Sequence, residues 1–115
     1  MSLKFNIQYY PTVSVVSFTG KIMTENDCLN LNEEIGQLIS DIKTQWVFDF
    51  DQLTHINSSG INFIIRSLTK TRVNNGDLAL CAIKGNVKTL FEIAKLTEIF
   101  TIYDTVEDAI NHFKK

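Results

Sequence analysis

Two groups of side chains in this chain have the types and spacing for chemistry, and they are close neighbours. The first is Asp49-Phe50-Asp51, two carboxylates two residues apart. On an extended strand that spacing projects both to one side. Such a pair can act as nucleophile and acid in phosphoryl transfer when a metal and further acidic groups join it. The second is Asn57-Ser58-Ser59-Gly60, with His55 just before it. Behind it Ile61, Ile64, Ile65 and Leu68 recur at helical spacing. The two hydroxyls therefore fall where a helix begins, and there the first backbone N–H groups lack partners and the helix dipole is positive. A phosphate on serine fits such a place with little strain, and a partner can read its charge.

The carboxylate pair makes a weak case for hydrolysis. In phosphohydrolases of the haloacid dehalogenase type the signature continues to a Thr two residues past the second Asp. Leu53 stands there, the chain is short for that fold, and no acidic metal pair follows downstream. Asp49 and Asp51 are expected to end a strand and bond loop backbone. A receiver domain needs an acidic pair after its first strand, whereas the first strands here end in Tyr9-Tyr10 and Thr19-Gly20. Ser58 with His55 lacks an orienting acid and an oxyanion hole. His55 reads as a loop residue and His112 as a surface one. No Gly-rich loop is present to cradle phosphates. The expectation is a non-enzyme without cofactor or metal.

Ser and Asn are preferred at any helix start, so the serine pair could be a cap and nothing more. Two residues argue for a further role. Gly60 costs about 1 kcal/mol relative to Ala in a helix and leaves backbone open to approach. With Ile61, Ile64, Ile65 and Leu68 inward, Phe63 falls nearly opposite, beside Arg66 and Lys70. An aromatic there is expected to be an exposed docking anchor one turn from the hydroxyls.

The elements that must position these residues are legible from periodicity. Phe5–Tyr9 and Val13–Phe18 read as short strands of a hairpin, interrupted at Tyr10-Pro11-Thr12 and ended by Gly20. Thr24 with Asp27 resembles a capping box, and Cys28, Leu31, Ile35, Leu38, Ile39 and Ile42 follow on one helical face, giving a helix from about Thr24 to Lys43. Gln45–Phe50 is a continuous β-prone run, as in a strand covered on both faces. The next helix ends near Val73, at the turn signal Asn74-Asn75-Gly76. Leu78–Ala82 is a buried strand. Asn86 is expected to cap a helix burying Val87, Leu90, Phe91 and Ala94. Phe100–Tyr103 is a last strand, and Asp104 with Glu107 is expected to cap a final helix burying Val106, Ala109, Ile110 and Phe113. The order ββαβαβαβα implies an α/β fold: an N-terminal hairpin, a mainly parallel sheet and about four helices, all in a single domain over 1–115.

The totals exclude several classes. Net charge is −2, from 11 basic and 13 acidic residues mixed along the chain, which offers no basic stripe for nucleic acid. Two cysteines, Cys28 and Cys81, are too few for a disulfide framework or a zinc site and read as small core residues in a reducing compartment. No apolar run approaches a membrane span, and the N-terminus lacks a signal-peptide stretch, so a cytoplasmic protein is expected. A monomer is the default.

The run Phe48-Asp49-Phe50-Asp51-Gln52-Leu53-Thr54-His55-Ile56-Asn57-Ser58-Ser59-Gly60-Ile61 resembles the central motif of STAS domains, most closely the bacterial anti-sigma factor antagonists. The similarity continues through Asn74–Leu78, Phe91–Leu96 and Phe100–Ala109. It implies that Ser58 (less so Ser59) is phosphorylated by a serine-kinase anti-sigma factor. It further implies that the unphosphorylated domain binds that kinase and frees the sigma factor, and that a PP2C-type phosphatase resets it. ATP and Mg²⁺ would belong to the kinase. Asn57, Ser58, Ser59, Gly60, Asn62, Phe63 and Arg66 are the expected partner-binding residues. Two departures stand out. Asn57 replaces the family's usual Asp, removing a carboxylate beside the hydroxyl, and Lys95 replaces a common Gly near a helix end. The first departure favours an alternative: a constitutive STAS scaffold in a stress-signalling assembly or a lipid-transport ATPase, without phosphorylation.

Overall fold

The strands lie in the sheet in chain order. A computed structural model describes residues 3–41 and 45–113. Strands β1 (Leu3–Tyr9), β2 (Ser14–Ile22), β3 (Gln45–Ile56), β4 (Asp77–Cys81) and β5 (Thr101–Tyr103) form one sheet in the order β1-β2-β3-β4-β5. β1 runs antiparallel to β2, with Phe5 opposite Phe18. The remaining neighbours are parallel. Helices α1 (Glu25–Asp41), α2 (Ser58–Val73), α3 (Gly85–Ile93) and α4 (Val106–His112) separate or follow the parallel strands, and one 3₁₀ turn, Leu96–Glu98, precedes β5. Parallel crossovers are right-handed. A monotonic strand order therefore sends all three crossover helices to the same face.

That face holds the main core. Phe18, Trp46, Phe48, Phe50 and Leu80 of the sheet meet Leu31, Ile35 and Ile39 of α1, Ile61, Phe63, Ile64 and Leu68 of α2, and Val87 and Phe91 of α3. Among the described residues α4 is the helix on the opposite face: Ala109 and Phe113 lie on Val13, Val15, Val47, Ala79 and Cys81. Both cysteines are buried, and neither forms a disulfide among the described residues. Burial, reinforced by the charges of Asp49 and Asp51, pushes the Cys81 thiol up to about 12, so it stays neutral.

Several boundaries differ from the sequence expectations. β2 does not end at Gly20 but continues to Ile22, and β3 does not end at Phe50 but continues to Ile56. Asp49 and Asp51 thus lie within a strand. The pairing explains the misreading. Ser17 faces Asp49, Thr19 faces Gln52, and Lys21 faces His55, so β3 carries an extra residue at each of two irregularities. Its core-facing residues are Trp46, Phe48, Phe50, Leu53 and Ile56, and the two-residue period is lost after Phe50. Gly20, at φ 102°, supplies the backbone conformation the second irregularity requires.

The helix starts divide likewise. The Thr24–Asp27 box is present: the Asp27 N–H donates to Thr24 Oγ1 at 3.0 Å and the Thr24 N–H to Asp27 Oδ2 at 3.2 Å. Ile42 and Lys43, expected in α1, lie outside the described residues. α3 is not capped by Asn86. It starts two residues earlier, with the Lys88 N–H on the Lys84 carbonyl at 3.2 Å, and Lys84 gives no side-chain cap. Its Nζ instead meets Asp51 at 2.9 Å. Ala94 follows the last turn of α3 and is exposed. α4 is capped by Thr105 rather than Asp104, because the Thr105 hydroxyl takes the Asp108 N–H at 3.1 Å. Lys95 holds a left-handed φ of 59°, the helix-ending conformation that glycine adopts most easily.

Phe63 is the largest revision. It is 1% exposed, stacked on Phe48 at 5.9 Å and edge-on to Phe18 at 6.3 Å. At about 100° per residue, the buried positions of α2 from Phe63 through Gly60 and Ile64 to Ile61 span an arc of about 160°. The arc is wide because α2 lies on the sheet and also beside α1. Phe63 occupies the α1 edge, while Ile65 at the other edge is only half-buried. Phe63→Ala is expected to lower unfolding stability by about 3–5 kcal/mol in a urea titration. A loss below about 1 kcal/mol would contradict the ring's place in the core.

Candidate functional site

The candidate site is built on the junction of β3 and α2. Ile56 ends the strand, Asn57 is the single connecting residue, and Ser58 is the first residue of the helix. Asn57 holds the junction through both ends of its amide. Its Oδ1 accepts the Gly60 N–H at 3.1 Å, and its Nδ2 donates to the Met23 carbonyl at 2.7 Å. The Asn57 N–H donates to the Ile22 carbonyl at 3.2 Å. A carboxylate at this position could cap the helix but could not donate to Met23. The departure at Asn57 therefore has a structural use: it ties the β2–α1 turn to the start of α2.

Gly60 is fixed by packing, not by access from outside. It is buried, and a Cβ there would lie 2.5 Å from Ile56 Cγ1 and 2.9 Å from Ile22 Cγ2. The expected open backbone is thus closed by the chain's own side chains. The missing Cβ lets α2 descend onto the ends of β2 and β3.

Ser58 is exposed, and its hydroxyl has no hydrogen bond among the described residues. No acidic residue occupies the first turn of α2. Ser59, Asn62 and Arg66 lie farther round the helix and line a cleft of about 290 Å³ with Cys28, Leu29 and Asn32 of α1; the buried Phe63 lies at its base. Arg66 is exposed and has no ion-pair partner among the described residues. The structure thus brings Ser59, Asn62 and Arg66 together, places Ser58 above them, and withdraws Gly60 and Phe63 into the interior.

Two exposed apolar residues of this surface escaped the sequence reading. Met23 is 43% exposed beside the Asn57 tether, and Leu29 is 59% exposed on the cleft wall. Leu29 had a usable signal, since it falls off the inward stripe of Cys28, Leu31 and Ile35 in α1. Met23 had none, because its place depends on a tether between residues distant in sequence.

Asp49 and Asp51 lie on the other side of the sheet from this site. Asp49 accepts from the Ser17 hydroxyl at 3.1 Å and from the Asp51 N–H at 3.0 Å, which catches an N–H at the first strand irregularity. Lys84 and Gln52 beside Asp51 hold its carboxyl below the usual range. Among the described residues no group of His, Cys, Asp and Glu is arranged to hold a metal ion.

Two substitutions test the junction. Asn57→Asp is expected to cost about 0.5–1.5 kcal/mol in a urea titration, with faster amide exchange at the Met23–Thr24 turn and retained protection at Gly60. Unchanged exchange at the turn would show that the Met23 bond holds nothing. Gly60→Ala is expected to cost about 1–3 kcal/mol, and a neutral result would contradict the tight approach to Ile56.

A family model described as the STAS domain matches residues 4–109. BtrV of Bordetella bronchiseptica, assigned as an anti-sigma factor antagonist, is 29% identical over 84 residues, covering 73% of this chain and 72% of that protein. The structure superposes on an anti-sigma factor antagonist from Mycobacterium paratuberculosis with a TM-score of 0.87 and 21% identity, covering 99% of this chain and 96% of that one. SpoIIAA, an anti-sigma factor antagonist, aligns in its unphosphorylated form with a TM-score of 0.82, 18% identity and 95% of each chain covered. The phosphorylated form of SpoIIAA from Bacillus aligns with a TM-score of 0.75, 17% identity, 95% of this chain and 98% of that one. With the five-stranded sheet, the α2 junction and a family match over nearly its whole length, the chain belongs to the STAS domain family.

Proposed function

We propose that this STAS domain is an anti-sigma factor antagonist whose Ser58 is a phosphorylation switch. Unphosphorylated, it binds a serine-kinase anti-sigma factor and releases the sigma factor. Phosphorylated, it lets go, and a PP2C-type phosphatase resets it. The observation that carries the reading is the exposed Ser58 hydroxyl, without a hydrogen bond among the described residues, at the first position of a helix with no acid in its first turn. A phosphate there would meet free N–H groups and the positive end of the dipole, so the fold can keep it. It would also place roughly −1.5 to −2 charges on the docking surface, opposing a partner shaped for a neutral hydroxyl.

The surface around Ser58 supports docking by its mixed character. Met23 and Leu29 offer exposed apolar area, Ser59 and Asn62 offer hydrogen bonds, and Arg66 offers an unpaired cation among the described residues. Exposed apolar residues rimmed by polar ones mark interaction surfaces. The absence of a membrane-length apolar helix among the described residues agrees with a partner met outside the bilayer. Asn57 supports the second reading, a scaffold without phosphorylation, because its amide is spent on the Met23 tether and no carboxylate stands beside Ser58 to approach a kinase-bound metal.

The test is binding to the serine-kinase anti-sigma factor, measured calorimetrically, with phosphosite mapping after incubation with ATP and Mg²⁺. Ser58→Ala is expected to bind as the parent protein and to accept no phosphate, and Ser58→Asp to bind at least about tenfold more weakly, a loss of about 1.4 kcal/mol. Equal binding by both variants would remove the switch. Phosphate mapped to Ser59 in the parent protein would move it by one residue.

A further inference from the structure

A second surface lies on the face of the sheet that α4 covers. With seven residues, α4 is about 10 Å long, too short to close that face. What it leaves is an open groove of about 820 Å³. The floor is formed by the α4-side surface of β3 and by Ala82 after β4. One wall is the β1–β2 turn at Tyr10 and Pro11, and the other is the start of α4 with Val106 and Ile110. Crossover helices do not reach it, because the strand order holds all three on the opposite face. It is therefore separate from the Ser58 surface, and both can be occupied together.

The groove carries apolar side chains on both walls and is acidic in its charge. Asp49, Asp51, Asp104 and Glu107 line it, and among the described residues no basic side chain lines it, Lys84 reaching only its edge at Asp51. Asp51 is partly offset by Lys84, and Asp49 accepts from Ser17 and from a backbone N–H. Asp104 and Glu107 are exposed and have no ion-pair partner among the described residues. A neutral or acidic occupant would strip water from these carboxylates without replacing it, whereas a basic one would pair with them. The acids come from three places, β3, the β5–α4 turn and α4 itself, so one small cation could meet only some of them. An extended chain presents its side chains alternately to two sides, which would let apolar residues rest on the walls while cations reach the acids.

We infer that this groove docks an extended segment of a partner protein in which basic and apolar residues alternate. The inference does not rest on the Ser58 reading, and neither fails with the other. The probe is an acetylated hexapeptide of alternating Lys and Leu, titrated into the isotope-labelled full chain and followed by amide chemical shifts. Saturable shifts are expected at Tyr10, Ala82 and Ile110, with α2 unmoved. The double variant Asp104→Asn with Glu107→Gln is expected to weaken binding about fivefold. Removing two acids elsewhere, Glu33→Gln with Glu98→Gln, should leave it unchanged. Shifts scattered over the surface, equal loss in both double variants, or no saturation at millimolar peptide would overturn the inference. So would saturable binding of 1,6-diaminohexane at these residues with no binding of the peptide, which would make the groove a small-cation site.

Discussion

Strands laid down in chain order, joined by crossovers of one hand, leave the helices no choice of side. α1, α2 and α3 must all pack on one face of the sheet, and α2 becomes the middle layer element with α1 beside it. From that constraint follow the wide buried arc of α2, the continuous aromatic core through Phe18, Phe48, Phe50 and Phe63, and the thin cover of the opposite face by α4. The surface that carries Ser58 follows too. With its underside on the sheet and one flank on α1, α2 has only its outer face and its N-terminus to offer a partner. Ser58, Asn62 and Arg66 are on that remainder.

The junction before α2 converts this packing into a defined site. Gly60 lets the helix approach Ile22 and Ile56, closer than any residue with a Cβ would allow. Asn57 then uses both ends of one amide to lock the approach, accepting from the helix and donating to the β2–α1 turn. The two devices are complementary. Packing sets how deep the helix sits, and the hydrogen bonds set where its first turn points. A hydroxyl at that first turn is held in one place while remaining open to solvent.

The carboxylates of β3 have a different origin. They follow the local irregularity of the strand, where Asp49 takes an N–H that the ladder gives up. Their charge also shapes the far face, since burial of Cys81 near them keeps the thiol protonated and their outward side tints the groove acidic. One strand therefore serves two surfaces: its side chains toward α4 line the groove, and its end delivers Ser58 on the opposite side.

The sequence by itself determined the element types and their order, the Thr24–Asp27 box, the turn at Asn74-Asn75-Gly76, and the position of the serine pair at a helix start. These are local matters, settled by periodicity, capping chemistry and the left-handed tolerance of Asn75 at φ 67°. Only the tertiary structure decided the rest. The end of β3 was hidden because two extra residues break its alternation, and their need arises from pairing with β2. Phe63 was assigned outward because a helix facing only a sheet buries a narrower stripe, and the neighbour that widens the stripe is α1, over twenty residues earlier in the chain. The role of Asn57 depends on a carbonyl at Met23, just past β2, and that of Gly60 on Ile22, at the end of β2. Local sequence fixes which backbone a segment prefers. Which of its faces is covered, and by what, is a property of distant segments meeting, and it is there that the site's shape was decided.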